Sequence, residues 1–291
     1  MACVQGYASR LSINGVQMPF IKVEDLSYTE LVDNGDLAIR GRLNHPKERV
    51  TIGRQINKLR VTMNPSPTQL TTLLPLFGFS LSGGVYGLGD TLTTFTTVVD
   101  KISKIHTFSN CVMGQAVLSG QRGAAPIQLA MDIYATAIAE GSSFGSPTAM
   151  DTDIVYAFHE GSLTIGGSAV AFDRFSLMID PHPEVQWNNS RQATQICWTN
   201  RNVELSTSIP YGSGYTGFLT TPLGDASGVS GTLGFTRGSQ SESIAITNMK
   251  SIARPPSIIG KGQIRLPATY RCYDSTSGST VTPTIQWTHT P

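Results

Sequence analysis

Short segments in which apolar and polar residues alternate limit the possible folds of this chain more than any other feature of its sequence. An alternation of period two places the apolar side chains on one face of a strand. The 29 glycines and 16 prolines separate these segments every few residues. The clearest segments are KLRVTM (58–63), PIQLAMDI (126–133), NVELSTSI (202–209) and GQIRLPATYRCY (262–273). The pattern predicts a mainly β fold of short strands joined by turns.

Helical periodicity is scarce, and SPTQLTTLLPLFG, residues 66–78, carries the best example. Ser66 is a favourable N-cap and Pro67 suits the first turn, while Pro75 should stop or kink the helix. A poorer second candidate is GYTGFLTTPLG, residues 214–224, which a glycine interrupts. We therefore expect one or two short helices beside the strands.

The two halves of the chain resemble one another. LSINGVQMPF, residues 11–20, matches LTIGGSAVAF, residues 163–172, at its Leu, Ile, Gly and Phe positions. Each matching segment is followed by two alternating strands in the same order. These strands contain Leu59 and Ile127 in the first half, and Val203 and Ile264 in the second.

This repeat favours a duplicated unit, although any β-rich chain offers alternating strands that can be aligned. The small, polar segment EGSSFGSPTAMDTD, residues 140–153, is the best candidate for a boundary between the two copies. We therefore predict two tandem β domains, residues 1–145 and 146–291, each with a short flanking helix.

Composition and motifs argue against several classes of function. The net charge is +1 and only 14% of residues are charged, which gives no general case for binding nucleic acid by counterion release. None of the five histidines falls in a tight metal-binding spacing, and no glycine-rich stretch joins a strand to a helix as a nucleotide loop does. The four cysteines lie far apart and are expected to be reduced packing residues. We predict no enzyme, no cofactor and no metal site.

Two features bear on location. No apolar run is long enough to span a bilayer, so no membrane partner is expected. The first residues, MACVQGYASRL, lack the charged start and long apolar core of a secretory signal. We therefore expect the protein to be made in a cytoplasm.

One local feature stands out, the basic segment 39–60, in which Glu48 is the only acid. It has three interpretations: a solvated hairpin face, a projecting arm that docks on an acidic surface of a neighbouring subunit, or a nucleic-acid patch. The third is weakest, because no aromatic residue for base stacking lies within the segment. The candidate contact residues are Arg40, Arg42, Lys47, Arg49 and Arg54.

The segment LTIGGSAVAFDRFSLMIDPHPEVQW, residues 163–187, resembles the tail tube proteins of long-tailed, non-contractile bacteriophages. The likeness consists of a strand, a GG turn, a phenylalanine, and FSLMID leading into a polar connection marked by proline. VELSTSI, residues 203–209, and the glycine-rich loop after it continue the pattern. LSINGVQMPFIKVEDLSYTELV, residues 11–32, looks like a more divergent copy.

The resemblance implies a β-sandwich or barrel-like core with a flanking helix. In that family six such domains form a ring, and rings stack into a tube through which the genome passes during ejection. With two domains in each chain, three chains would complete a pseudo-hexameric ring. The implied partners are other copies of the chain and further tail proteins: tape measure, terminator and distal tail protein. The implied location is the virion tail, with DNA crossing the lumen without sequence-specific binding.

Long hairpins make the contacts between rings in that family, which nominates residues 29–52 as the arm of this chain. Two alternatives stay open. One is a distal tail adaptor that forms a single ring. The other is a carbohydrate- or receptor-binding β-sandwich, although the three tryptophans, Trp187, Trp198 and Trp287, are too scattered to indicate a sugar platform.

Overall fold

A computed structural model describes residues 9–33, 50–102, 104–123, 126–150, 153–210, 228–252, 265–277 and 280–290. The fold is mainly β, as the alternating segments predict. The strands before residue 146 are β1 (Arg10–Ile13), β2 (Val16–Met18), β3 (Lys22–Asp25), β4 (Tyr28–Asp33), β5 (Val50–Met63), β6 (Phe79–Ser82), β7 (Val85–Leu88), β8 (Phe95–Asp100), β9 (Ile105–Gln121), β10 (Gln128–Ala135) and β11 (Ala137–Gly141).

The strands after residue 146 continue the numbering. They are β12 (Gly161–Ile165), β13 (Ser168–Ala169), β14 (Arg174–Asp180), β15 (Pro183–Gln186), β16 (Gln195–Trp198), β17 (Asn202–Pro210), β18 (Val229–Arg237), β19 (Gln240–Ser251), β20 (Arg265–Cys272), β21 (Ser275–Ser277), β22 (Thr280–Thr282) and β23 (Ile285–Thr290). A short 3-10 turn, Phe158–Glu160, precedes β12.

The predicted helix is confirmed as α1 (Pro67–Leu73), which continues as a 3-10 segment, Leu74–Phe77. Ser66 caps it reciprocally: its side chain accepts from the Gln69 N–H at 3.2 Å, and the Gln69 side chain accepts from the Ser66 N–H at 2.9 Å. Such a capping box satisfies two backbone donors that the first turn leaves free. The second helix candidate, residues 214–224, lies outside the described residues.

The predicted alternation matches the burial of the strands. Leu59, Val61 and Met63 of β5 are fully buried, and so are Leu205 and Ile209 of β17. Their partners across the ladder, in β10 and β20, alternate in the same way. The apolar face of each of these strands therefore lies in the core.

The repeated ten-residue segments form equivalent hairpins. β1 and β2 are joined by Asn14 and Gly15, and β12 and β13 by Gly166 and Gly167. All four linking residues have positive φ, between 51° and 77°. Two central residues with positive φ define a type I′ turn, whose twist suits a two-residue hairpin.

The same strand order is found in both halves. In the first half, hydrogen-bonded neighbours run in the order β3–β5–β10–β9–β8–β1–β2, and every pair is antiparallel. In the second half, β14–β17–β20–β19–β18–β12–β13 is the corresponding order, again antiparallel throughout. Seven strands of one half thus follow the same order as seven strands of the other, while the division into two domains stays a prediction.

Two details extend the match to single residues. Lys22 pairs with Thr62, and Arg174, which lies 152 positions after Lys22, pairs with Ser208. Leu11 and Leu163 of the matching segments are separated by the same 152 positions. The spacing of 152 positions between the matching segments therefore also relates the first residue of β3 to the first residue of β14.

Both long strands bend at an asparagine. The β8–β9 ladder shifts register beside Asn110, and the β18–β19 ladder shifts beside Asn248. Both asparagines have a left-handed backbone, with φ of 47° and 49°. Asparagine tolerates this conformation better than most residues, so the two positions are matched β-bulges.

The buried apolar residues of the two halves form one connected core. Leu118 and Leu129 of the first half and Leu177 and Ile179 of the second border the same small apolar cavity beside α1. The halves are therefore packed against each other by hydrophobic burial, and 19 of the described strands belong to one large sheet, while β15–β16 and β21–β22 form two small separate sheets.

Candidate assembly surface

The base of the predicted arm is a β-hairpin. β4 pairs with β5 from Tyr28 opposite Ile56 to Asp33 opposite Val50. Residues 34–49, between the two strands, lie outside the described residues. Four of the five predicted contact residues belong to that segment: Arg40, Arg42, Lys47 and Arg49.

Arg54 is the described member of the set, and it is exposed on β5. Its guanidinium carbon lies 5.0 Å from the centroid of the Trp187 ring, a cation–π contact. The neighbouring Gln55 holds the same loop through its backbone: its N–H donates to the Arg191 carbonyl at 2.8 Å, and its carbonyl accepts from the Trp187 indole N–H at 3.1 Å. The loop of the β15–β16 hairpin is thus bound to the arm of the first half.

Lys58 and Arg60, at the inner end of the basic segment, share one carboxylate within the chain. Asp132 of β10 accepts from Lys58 at 2.8 Å and from Arg60 at 2.7 Å. Burial favours a raised pKa for Asp132, but the bonds from the two cations outweigh it and hold the pKa below its usual range. Asp132 therefore balances one of the two positive charges at the inner end of the segment.

The halves join edge to edge at two places, and the first is a ladder between β9 and β14. It runs from Arg174 opposite Gln121 to Ile179 opposite Ala116. Gly120 lies so close to the Phe175 ring that a Cβ there would be 2.7 Å from a ring carbon. A glycine permits this approach because it has no side chain.

The second junction lies between β7 and β23. Gln286 to Thr288 pair with Gly87 to Val85. Trp287 packs edge-on against Phe79 with ring centroids 6.2 Å apart, and its indole N–H donates to the buried carboxylate of Glu242 at 2.6 Å. Each half therefore contributes one strand edge to the other at both junctions.

The corresponding edges of the first half carry no strand among the described residues. β3 pairs with β5 on one side, and β11 pairs with β9 on one side. Ile21 and Leu26, which flank β3, are 53% and 40% exposed. A strand edge bordered by exposed apolar side chains is a ready template for another chain.

Few candidate sites for metal binding or nucleophilic chemistry suggested by the sequence can be followed in the described part of the chain. No group of three or more His, Cys, Asp or Glu residues there could hold a metal ion. Asp180 and His182 form a turn in which the His182 N–H donates to the Asp180 carboxylate at 3.0 Å. Burial raises the pKa of the Cys111 thiol to about 11 and that of Cys272 to about 12, which makes both poor nucleophiles.

All three tryptophans are used inside the protein. Trp187 and Trp287 bond as described above, and the Trp198 indole N–H donates to the Met113 carbonyl at 2.8 Å. Trp198 also lies against Gly78, where a Cβ would be 2.9 Å from the indole ring. Trp287 is buried, whereas Trp187 and Trp198 are partly buried.

The comparisons with known proteins add no relative. No family model matches the chain, and no curated protein matches it. Among the described residues, no helix has the length and apolar character to cross a membrane.

Proposed function

We propose that this protein is the subunit of a phage tail tube, which assembles through copies of itself into stacked rings that conduct DNA during ejection. The duplicated halves would place three chains in each ring. The role is structural, and the partners are further copies together with the proteins at the two ends of the tube.

The observation that carries this proposal is the join between the halves. Two units with the same strand order meet through two antiparallel ladders, so their sheets are continuous across the junction. This contact joins two similar units through different strand edges, so it can be repeated from one unit to the next. Repetition around an axis gives a ring when the last unit meets the first. The chain contains one complete example of such a contact.

The hairpin arms support stacking. The arm on β4 and β5 extends from the sheet edge, and its outer segment holds Arg40, Arg42, Lys47 and Arg49 with a single acid. The second half has its own hairpin, β15–β16, at the corresponding place between β14 and β17. Paired arms on every chain provide contacts that a ring needs in order to bind the next ring.

Negative-stain electron microscopy of the purified full chain tests the proposal. We expect hollow tubes whose cross-section averages show six similar units from three chains. A dispersed monomer at high concentration contradicts self-assembly. Single rings that do not stack favour the distal adaptor, and a ring mass equal to six chains contradicts the stoichiometry.

A further inference from the structure

The two halves have equivalent strand edges, which are paired with another strand in the second half and have no such partner among the described residues in the first. β14 occupies in the second half the place of β3 in the first, because both are the outer neighbours of matched strands, β17 and β5. β23 corresponds to β11 in the same way, because both lie beside the first segment of the bent strand, β19 or β9. The edges of β14 and β23 are covered by β9 and β7.

We infer that the edges of β3 and β11 bind a second copy of this chain, whose second half takes the places that β9 and β7 take in the internal junction. The inference rests on the proposed ring assembly and adds to it the location of the contact between chains. The inference is supported by the internal junction, in which the equivalent edges of β14 and β23 are already paired with β9 and β7.

The backbone of β3 fits this role. Leu26 donates its N–H to the Lys58 carbonyl at 2.8 Å, so Leu26 faces β5. Because bonding direction alternates along an antiparallel strand, Glu24 also faces β5, while Val23 and Asp25 direct their N–H and C=O groups outward. Directly before β14, the outward carbonyl of Asp173 is used, since it accepts from the Arg122 N–H at 2.7 Å.

The register strengthens the correspondence. Val23 is opposite Val61, and Phe175, 152 positions after Val23, is opposite Thr207. Phe175 is the β14 residue that pairs with Gly120 across the internal junction. Val23 is therefore the position on the open edge that corresponds to Phe175 and should pair with a strand of the next chain.

The geometry also sets the symmetry of the contact. Both open edges belong to the first half, and the complementary surface belongs to the second half. A contact between unlike surfaces joins copies head to tail and produces rings or open chains, whereas a twofold dimer would need a self-complementary patch. Association should therefore proceed to a closed ring, without a stable symmetric dimer.

A proline scan of two edges tests the inference on the full chain. Val23→Pro removes one outward donor of β3 and leaves the bonds to β5 intact. Ala169→Pro is the matched control, because Ala169 is exposed on β13, an edge remote from both junctions in strand order. Ring formation is followed by mass photometry, and the fold by circular dichroism and thermal melting.

We expect the Val23→Pro chain to stay folded and to lose ring formation at a concentration at which the wild type and the Ala169→Pro chain form rings. Rings of wild-type yield from a folded Val23→Pro chain would overturn the inference while leaving self-assembly standing. A wild type that never associates would overturn both.

Hydrogen exchange of the wild type covers the case in which Val23→Pro fails to fold. The amides of Val23 and Asp25, and those along β11, should exchange at least tenfold more slowly in rings than in dilute monomer. The amide of Ala169 should not change. Equal exchange along β3 and β11 in the two states would overturn the inference.

Discussion

The first and second halves of this protein share seven strands in one order but differ in what lies against their outer strands. β14 and β23 are covered by strands of the first half, whereas β3 and β11 have one described neighbour each. The apolar residues around the edge differ accordingly. Leu177 and Ile179 on β14 are buried, while Ile21 and Leu26 beside β3 are exposed. Equivalent strands can therefore lie inside a sheet in one half and at a sheet edge in the other.

The two hairpin arms also differ between the halves. Substitutions in the arm of the first half are expected to have the largest effect on assembly. The arm of the second half docks inside the chain through Trp187, whereas the basic tip of the first arm is the proposed contact between rings. Changing Arg40, Arg42 and Arg49 to glutamate should abolish tube growth and leave the melting temperature unchanged, because opposite charges are replaced by like ones.

Electron microscopy of the triple variant checks this expectation, with single rings as the expected product. Arg271→Glu, an exposed arginine on β20, is the control and should form normal tubes. Tubes of normal length from the triple variant would remove the arm from the contact between rings.

Substitutions in the core can test whether the two halves contribute equally to the free energy of unfolding. Leu59 and Leu205 both lie in the core, and each is 0% exposed to solvent. Replacing either by alanine should lower the free energy of unfolding by about 2–5 kcal/mol. Because the buried residues form one cluster, each variant should shift a single cooperative transition in urea. Two separate transitions, each sensitive to one variant, would show that the halves unfold independently.

Two buried carboxylates, one in each half, should respond to acid in opposite directions. Asp132 has a pKa held below its usual range in the folded state by Arg60 and Lys58, which outweigh burial. Its stabilisation is therefore present above the unfolded pKa, about 3.9, and is lost as the pH falls through the folded value. Asp132→Asn should cost about 1–3 kcal/mol at pH 7 and flatten the acid limb of a stability–pH profile. An unchanged acid limb would contradict this assignment.

Glu242 provides the opposite case. Burial raises its pKa, and the bonds from Trp287 and His289 only partly oppose that effect. The unfolded state therefore ionises first as the pH rises above about 4.3, so stability falls from there until the folded pKa is reached. Glu242→Gln should remove this fall, about 1.4 kcal/mol for each unit of the shift. Chemical unfolding between pH 4 and 8 measures it, and an identical slope in the variant would count against it.

The smallest effect is expected at the contact between the arms. Arg54→Gln removes the cation–π contact with Trp187 and should cost about 0.5–1 kcal/mol, because the site is exposed. Lys104→Gln, which removes the exposed ion pair with Glu140, is a control of similar size away from the arms. A loss much larger than that of the control would indicate that Arg54 also orders the hairpin β15–β16.

The predicted segments alternate without interruption, namely residues 58–63 of β5 together with β10, β17 and β20, so their period was visible. β9 and β19 were missed, and both contain a bulge. In β9 and β19 the bulges at Asn110 and Asn248 insert an extra residue, and the buried Phe108 is followed three positions later by the buried Cys111. That change of phase hides a strand from any test of strict alternation.

The candidate site was less visible still. Asp132 pairs with Lys58 and Arg60 only because the β5–β10 register places it opposite Arg60. The bonds of Gln55 involve its backbone, which carries no mark in the sequence. The paired asparagines would have been a usable signal, since each lies in a similar apolar setting, FSNCVM and ITNMKS.

The two bulges have a consequence for shape. Asn110 lies where β9 changes partners, from β8 and β11 before the bulge to β10 and β14 after it. Asn248 lies at the matching place on β19, between its pairing with β23 and its pairing with β20. Each asparagine is a corner of the sheet, and the two corners have nearly the same backbone angle. A residue that cannot adopt a left-handed backbone at either position would therefore disturb both sheet segments that meet at that corner.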